Sequence, residues 1–266
     1  MPAFATEDNM PRFSANLSMM FCEHAFLDRF SAARESDFEA VEFLFPYDFS
    51  PEEVGKAVQE NGLAVSVFNL HPGNWDGGDR GMAALPGQED VFRATVEKAI
   101  PYAEATGATQ LHVMAGIADP VAETERVYID NICHAADRLA GRGLSLLIEP
   151  INKRAMPGYF LSDTYQALDL LQQICHPAVR LQFDIFHHQI THGDVIQSIT
   201  NCSDRIGHIQ IAGVPDRHEP DTGELNYSEI FRHMDEIGYR GWVGCEYIPR
   251  HGTHDGLGWF RQAIRL

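Results

Sequence analysis

At 266 residues with 44% apolar content, the chain is long enough for one large domain with a real core. Its formal net charge of −18 repels phosphate backbones and anionic bilayers, which argues against nucleic acid or a membrane surface as the main partner. No run of ~18 apolar residues could span a bilayer, and the start MPAFATEDNMPRF lacks the basic and apolar stretches of a secretory signal.

Strand-like runs alternate with amphipathic ones along the chain. The expected strands are residues 13–20, 39–45, 63–70, 109–115, 144–150, 179–186, 205–212 and 242–248. Ser50-Pro51-Glu52-Glu53 opens the first clear helix with an N-cap serine, proline at the first position and acid in the first turn, and Asn61-Gly62 stops it. Residues 91–107, 124–143, 162–175 and 226–238 repeat this logic, with apolar positions three and four apart, and Pro101 is expected to kink the first of them. Between the third strand and its helix, residues 71–88 form a long glycine-rich loop of the kind that often serves as a lid, with Trp75 lacking an obvious core position.

Eight strand–helix units in about 250 residues predict a single α/β domain folded as a (β/α)₈ TIM barrel, residues 1–12 being an N-terminal extension. An open doubly wound sheet is the alternative, disfavoured because no glycine-rich phosphate fingerprint follows the first strand. The five cysteines, Cys22, Cys133, Cys175, Cys202 and Cys245, are scattered and contain no CxxC pair. They read as reduced, mostly buried thiols of a cytoplasmic protein.

Chemistry concentrates at the ends of the last four strands, where a barrel of this kind carries its active site. Glu149, Asp184, Gln210 and Glu246 each close or interrupt an apolar run there. Neighbouring strands lie about 5 Å apart, so four consecutive ones can converge on one ion. Oxygen-only ligands favour Mg²⁺ or Mn²⁺ over Zn²⁺. Solvated loop acids are the plain alternative for any one of the four, but packed together they need a cation or shared protons. His208, two residues before Gln210, is expected one layer deeper rather than as a ligand.

His187, in the expected loop after the sixth strand, and Arg217, in GVPDRHEP, can reach a substrate held there. Either could instead be a surface group, Arg217 pairing with Asp216, Glu219 or Asp221. His112 on the fourth strand is a substrate contact or a satisfied barrel-core histidine. Glu149 and Glu246, from opposite flanks, suit proton transfer between adjacent carbons of a bound hydroxycarbonyl.

The runs LLIEPINKRAMPGYFL, LQFDIFHHQ, HIQIAGVPDRHEPDTGELNY and CEYIP, with VEFLFPYDF and FNLHPGNWDGGDRG nearer the N-terminus, resemble the hydroxypyruvate isomerase family of xylose isomerase-like barrels. The resemblance runs from about residue 13 onward. It implies a barrel with one divalent metal ion and two acid–base glutamates, Glu149 and Glu246. Metal ligands of related ketose epimerases fall on Glu149, Asp184, Gln210 and Glu246, glutamine standing where they carry histidine, and their substrate-binding residues fall on His187 and Arg217.

The expected activity is an aldose–ketose type isomerisation of a small hydroxy-oxo acid, hydroxypyruvate with tartronate semialdehyde or 2-oxo-tetronate with its 3-oxo isomer. A ketose 3-epimerase, a metal-dependent endonuclease and a non-catalytic sugar-binding barrel are the alternatives. The expected partner is a small oxo acid or sugar, with exposed apolar residues beyond the strands leaving room for a homo-oligomer.

Overall fold

In the computed structural model, which describes residues 11–264, strands β1 (Arg12–Asn16), β2 (Ala40–Phe43), β3 (Ala64–Asn69), β4 (Gln110–Val113), β5 (Ser145–Ile148), β6 (Val179–Asp184), β7 (Ile206–Ile211) and β8 (Trp242–Cys245) close a parallel barrel in chain order. β8 pairs back onto β1 through Arg12 with Trp242 and Phe13 with Val243. Each strand stops short of its apolar run, because the last residues of the run already turn outward as the loop that carries the site. The expected extension lies outside the described residues except for its last two, and Arg12 already belongs to β1.

The helices between the strands are α1 (Asp28–Glu35), α2 (Pro51–Glu60), α3 (Glu89–Thr106), α4 (Ala122–Ala140), α5 (Thr164–Ile174), α6 (Ile185–Thr191), α7 (Val195–Cys202) and α8 (Tyr227–Glu236), with two short turns, α9 (Thr253–Gly256) and α10 (Gly258–Ala263), after β8. The start signal of α2 is a full capping box. Ser50 Oγ accepts from the Glu53 N–H, and the Glu53 carboxylate accepts from the Ser50 N–H. α3 continues through Pro101 as one helix rather than ending there. α6 is a departure from the sequence reading. It starts directly after Asp184, so Ile185 and Phe186 are helical and His187 sits in a first turn, not in a loop.

One apolar shell holds the barrel. Between strands and helices, Phe38 stacks on Phe260 at 4.2 Å, and Phe13 makes T-shaped contacts with Phe231, Trp259 and Phe260. These rings tie the end of the chain to β1. Trp75 also finds partners, with Phe45 at 5.2 Å and the Arg80 guanidinium 3.9 Å over its ring. The inside of the barrel is different. Residues two apart on each strand point inward, and many are polar: Ser14, Asn16, Glu42, Ser66, His112, Gln182, Asp184, His208 and Gln210, all buried. All five cysteines are free, and only Cys202 and Cys245 are buried, fewer than expected. No helix among the described residues is long and apolar enough to cross a membrane.

α2 packs on α3 with Gly55 at the contact. A Cβ there would lie 2.7 Å from the Ala105 carbonyl oxygen. Helix propensity favours Gly55→Ala by about 1 kcal/mol, but overpacking costs about 1–3 kcal/mol, and a carbonyl oxygen in a helix cannot yield. Gly55→Ala should therefore lower stability by up to about 2 kcal/mol in denaturant melts; a gain would show that the two helices slide apart freely.

Candidate active site

The loops leaving β5, β6, β7 and β8 meet over the C-terminal mouth of the barrel. Asp184 is the last residue of β6 and the N-cap of α6 at once. One carboxylate oxygen accepts from the Phe186 N–H at 2.7 Å, which fixes the side chain and leaves the other oxygen facing the mouth. Glu149 and Glu246 follow β5 and β8 directly. All three carboxyls are buried, at 5%, 3% and 5% exposure for Glu149, Asp184 and Glu246.

Burial and mutual repulsion set their protonation. Burial, then the charges of Glu246 and Asp184, holds the Glu149 carboxyl well above the usual carboxylate range. Burial likewise raises Asp184 against the pull of Arg217. Glu246 is pushed up to about 8, mainly by burial, with Arg217 pulling the other way and Asp184 raising it. The Arg217 guanidinium lies 2.8 Å from Glu246 Oε2 and 3.4 Å from Asp184 Oδ2, with its central carbon 5.0 Å from the centre of the Phe186 ring. Its side chain is 20% exposed against 1% and 7% for the acids, so it roofs the pocket from the solvent side. Arg217 thus turns inward to the site acids.

The imidazole of His187 lies 3.5 Å from Asp184 Oδ2 and 4.0 Å from Glu149 Oε1 through its Nε2. Glu149, Asp184 and His187 each offer one ligand atom within 4.8 Å of the others. Proximity alone would make His187 a metal ligand, but its hydrogen bonding argues otherwise. The Asn152 side-chain oxygen accepts from the Ala155 N–H at 2.8 Å, which turns its amide nitrogen toward His187 Nδ1 at 2.7 Å. The Asn152 backbone N–H points at the same nitrogen from 3.4 Å. With two donors on Nδ1, the neutral ring carries its proton on Nε2 and presents a donor to the pocket. Burial, then Arg217 and His112, keeps the ring neutral by holding its pKa well below the ordinary value. A metal-binding histidine commonly shows the reverse, donating from its other nitrogen.

His112 Nε2 stands 3.4 Å from Glu149 Oε2, yet both ring nitrogens are buried without a hydrogen-bond partner. Burial, then His208, depresses its pKa to about 3, so the ring is neutral. It is not a satisfied core histidine. Gln210 lies in register with Asp184 on the neighbouring strand. Its Nε2 donates to Glu42 Oε1 at 2.8 Å, and its Oε1 accepts from Gln182 Nε2 at 2.7 Å. A carbonyl oxygen has a second lone pair, so Gln210 can still serve a cation. His208 does lie one layer deeper, with Nε2 2.7 Å from Glu42 Oε2.

The donor set fits a divalent ion. Glu149 Oε1 is buried without a partner, and one arginine faces three carboxyls. Sequence reasoning missed Glu42, Gln182 and Asn152. Glu42 had a readable signal, an acid in the middle of the apolar run AVEFLF.

Residues 30–263 match the family model described as xylose isomerase-like TIM barrel. The 2-oxo-tetronate isomerase of Cupriavidus necator is 50% identical over 255 residues, 95% of this chain and 98% of that one. The hydroxypyruvate isomerase of Escherichia coli is 42% identical over 253 residues, 94% of this chain and 98% of that one. A solved structure titled as an AP endonuclease, family 2, from Brucella melitensis superposes with a TM-score of 0.93 at 47% identity, covering 95% of this chain and 99% of that one.

A raised folded-state carboxyl pKa has a definite consequence for stability. Such a group stabilises the fold fully below its unfolded value, near 4.5 for Glu246, and loses that contribution as pH rises through about 8. Without a divalent ion the melting temperature should fall across this window. Added Mn²⁺ replaces the protons and should raise the melting temperature more at about pH 8 than at about pH 6. Melts in chelator and in Mn²⁺ test this; an Mn²⁺ shift that does not grow with pH would place binding away from these carboxyls.

Proposed function

The chain belongs to the xylose isomerase-like TIM barrel family, and from that premise we propose that it is a metal-assisted isomerase of a small hydroxy-oxo acid. The reaction would interconvert hydroxypyruvate with tartronate semialdehyde, or 2-oxo-tetronate with its 3-oxo isomer. The isomerase names of the two relatives support the reaction class. The observation that carries the mechanism is the pair Glu149 and Glu246. Both are buried in one pocket, and both are shifted toward the range where a carboxyl can give and take a proton near neutral pH.

Glu149, Asp184, Gln210 and Glu246 would hold one Mg²⁺ or Mn²⁺, which when bound polarises the carbonyl and hydroxyl oxygens of the substrate. One glutamate takes the proton from the carbon that bears the hydroxyl. The double bond shifts to give an enediolate as the hydroxyl gives up its proton, the other glutamate returns a proton to the neighbouring carbon, and the former carbonyl oxygen takes up the hydroxyl proton. The His187 Nε2–H donates to a substrate oxygen, and neutral His112 satisfies an unpaired nitrogen on the same ligand. Arg217, already at the rim, reads the carboxylate, a two-point contact that its planar fork suits. The Brucella structure's title raises DNA cleavage as an alternative. A chain of net charge −18 is poorly suited to a DNA backbone, which favours the small acid.

Glu149→Gln and Glu246→Gln keep size and an oxygen ligand but remove the base. Each should lower kcat by about 10²–10⁴. Solvent deuterium should enter the substrate carbon on turnover of the parent enzyme. Near-normal kcat in either variant would remove that residue from the mechanism, and a product free of deuterium would point to a hydride shift.

Arg217→Ala should raise KM for an oxo acid by the loss of a charge-assisted hydrogen bond, about 1.5–3 kcal/mol, or roughly 10–150-fold. Arg217→Lys should recover only part. KM for a neutral ketose of similar length should change less. Equal losses on both substrates would mean that the arginine holds its loop rather than the carboxylate.

A further inference from the structure

A glutamine is an ambiguous ligand, because its oxygen and its nitrogen are interchangeable by a half-turn of the amide. Only the oxygen can bind a cation. At Gln210 the choice is imposed from below. Glu42 on β2 is fully buried, and its Oε1 accepts from Gln210 Nε2 at 2.8 Å and from Asn16 Nδ2 at 3.0 Å. Its Oε2 faces His208 Nε2 at 2.7 Å and Ser66 Oγ at 3.2 Å. Room for this carboxylate is made by Gly244 on β8, where a Cβ would overlap both Glu42 oxygens. The opposite side of the amide agrees, since Gln182 Nε2 donates to Gln210 Oε1 at 2.7 Å.

We propose that Glu42 is a positioning residue, whose carboxylate locks the Gln210 amide with its nitrogen toward the barrel interior and its oxygen toward the metal pocket. The inference rests on the metal reading of the site and adds to it the residue that makes a glutamine a usable ligand. A carboxylate only accepts, so it tolerates only the amide nitrogen. An amide at position 42 has both polarities and tolerates either orientation of Gln210. Burying an acid among four donor side chains is costly unless each bond is made, and nothing in this layer touches solvent.

The test is Mn²⁺ binding, read from the free-ion electron paramagnetic resonance signal, with melting temperature followed in chelator. Glu42→Gln should weaken Mn²⁺ by about 10–100-fold, the usual effect of losing a group that orients a ligand. The exchange Glu42→Gln with Gln210→Glu restores a one-way bond, the new amide below donating to a carboxylate above. It should return the affinity to within a few-fold of the parent, a non-additivity that loss of stability alone would not produce. Parent-like Mn²⁺ affinity in folded Glu42→Gln overturns the inference and leaves the metal site standing. Absence of Mn²⁺ binding by the parent protein overturns both. Should Glu42→Gln not fold, the exchanged pair decides: folded and binding supports the inference, whereas folded without binding, or unfolded, shows that Glu42 holds the barrel and not the ligand.

Discussion

Three carboxyls buried within one pocket are the constraint around which the rest of this molecule is arranged. Glu149, Asp184 and Glu246 lose their hydration and repel one another, and every neighbouring feature answers that cost. A helix start takes one oxygen of Asp184. Burial pushes the Glu246 carboxyl up to about 8. Arg217 spans Glu246 and Asp184 from the solvent side. One monovalent cation against three acids leaves an imbalance that a divalent ion would complete, and the same imbalance makes the carboxyls capable of proton transfer. The destabilising element and the chemical capacity are one and the same.

Below the carboxyls the barrel interior does a different task, which is to fix hydrogen-bond polarity. The bonds run one way, Gln182 to Gln210 to Glu42. Amides and neutral imidazoles have two faces of opposite character, and either face can be presented by a turn of the ring or the amide. The layer below removes that freedom. It fixes the Gln210 amide nitrogen on Glu42, while at the mouth Asn152, in the loop after β5, meets His187 Nδ1. A barrel centre filled with branched aliphatic residues could not do this, although it would be cheaper to bury. The apolar packing is instead concentrated between strands and helices, in the cluster of Phe13, Phe38, Trp259 and Phe260.

Length, the alternation of apolar runs with 3.6-period segments, and the punctuation by Ser50, Pro51, Gly62 and Gly107 were enough to determine the eight-stranded barrel, because those signals are local and each strand lies next to its successor. Strand ends likewise marked Glu149, Asp184, Gln210 and Glu246, since the barrel delivers such positions to one face. His187 was legible as a candidate but its setting was not, because the turn from β6 into α6 comes without a break and hides the helix start inside an apolar run. Orientation lay wholly beyond the sequence. That Arg217 turns inward to Glu246 rather than to Asp216 beside it, that Asn152 meets His187, and that Gly244 makes room for the Glu42 carboxylate bonded to Gln210 are all outcomes of contacts between residues far apart in the chain. Periodicity says which face a side chain occupies. Which of its atoms meets which neighbour is decided only when the barrel closes, because hydrogen-bond polarity belongs to the pair and not to either residue.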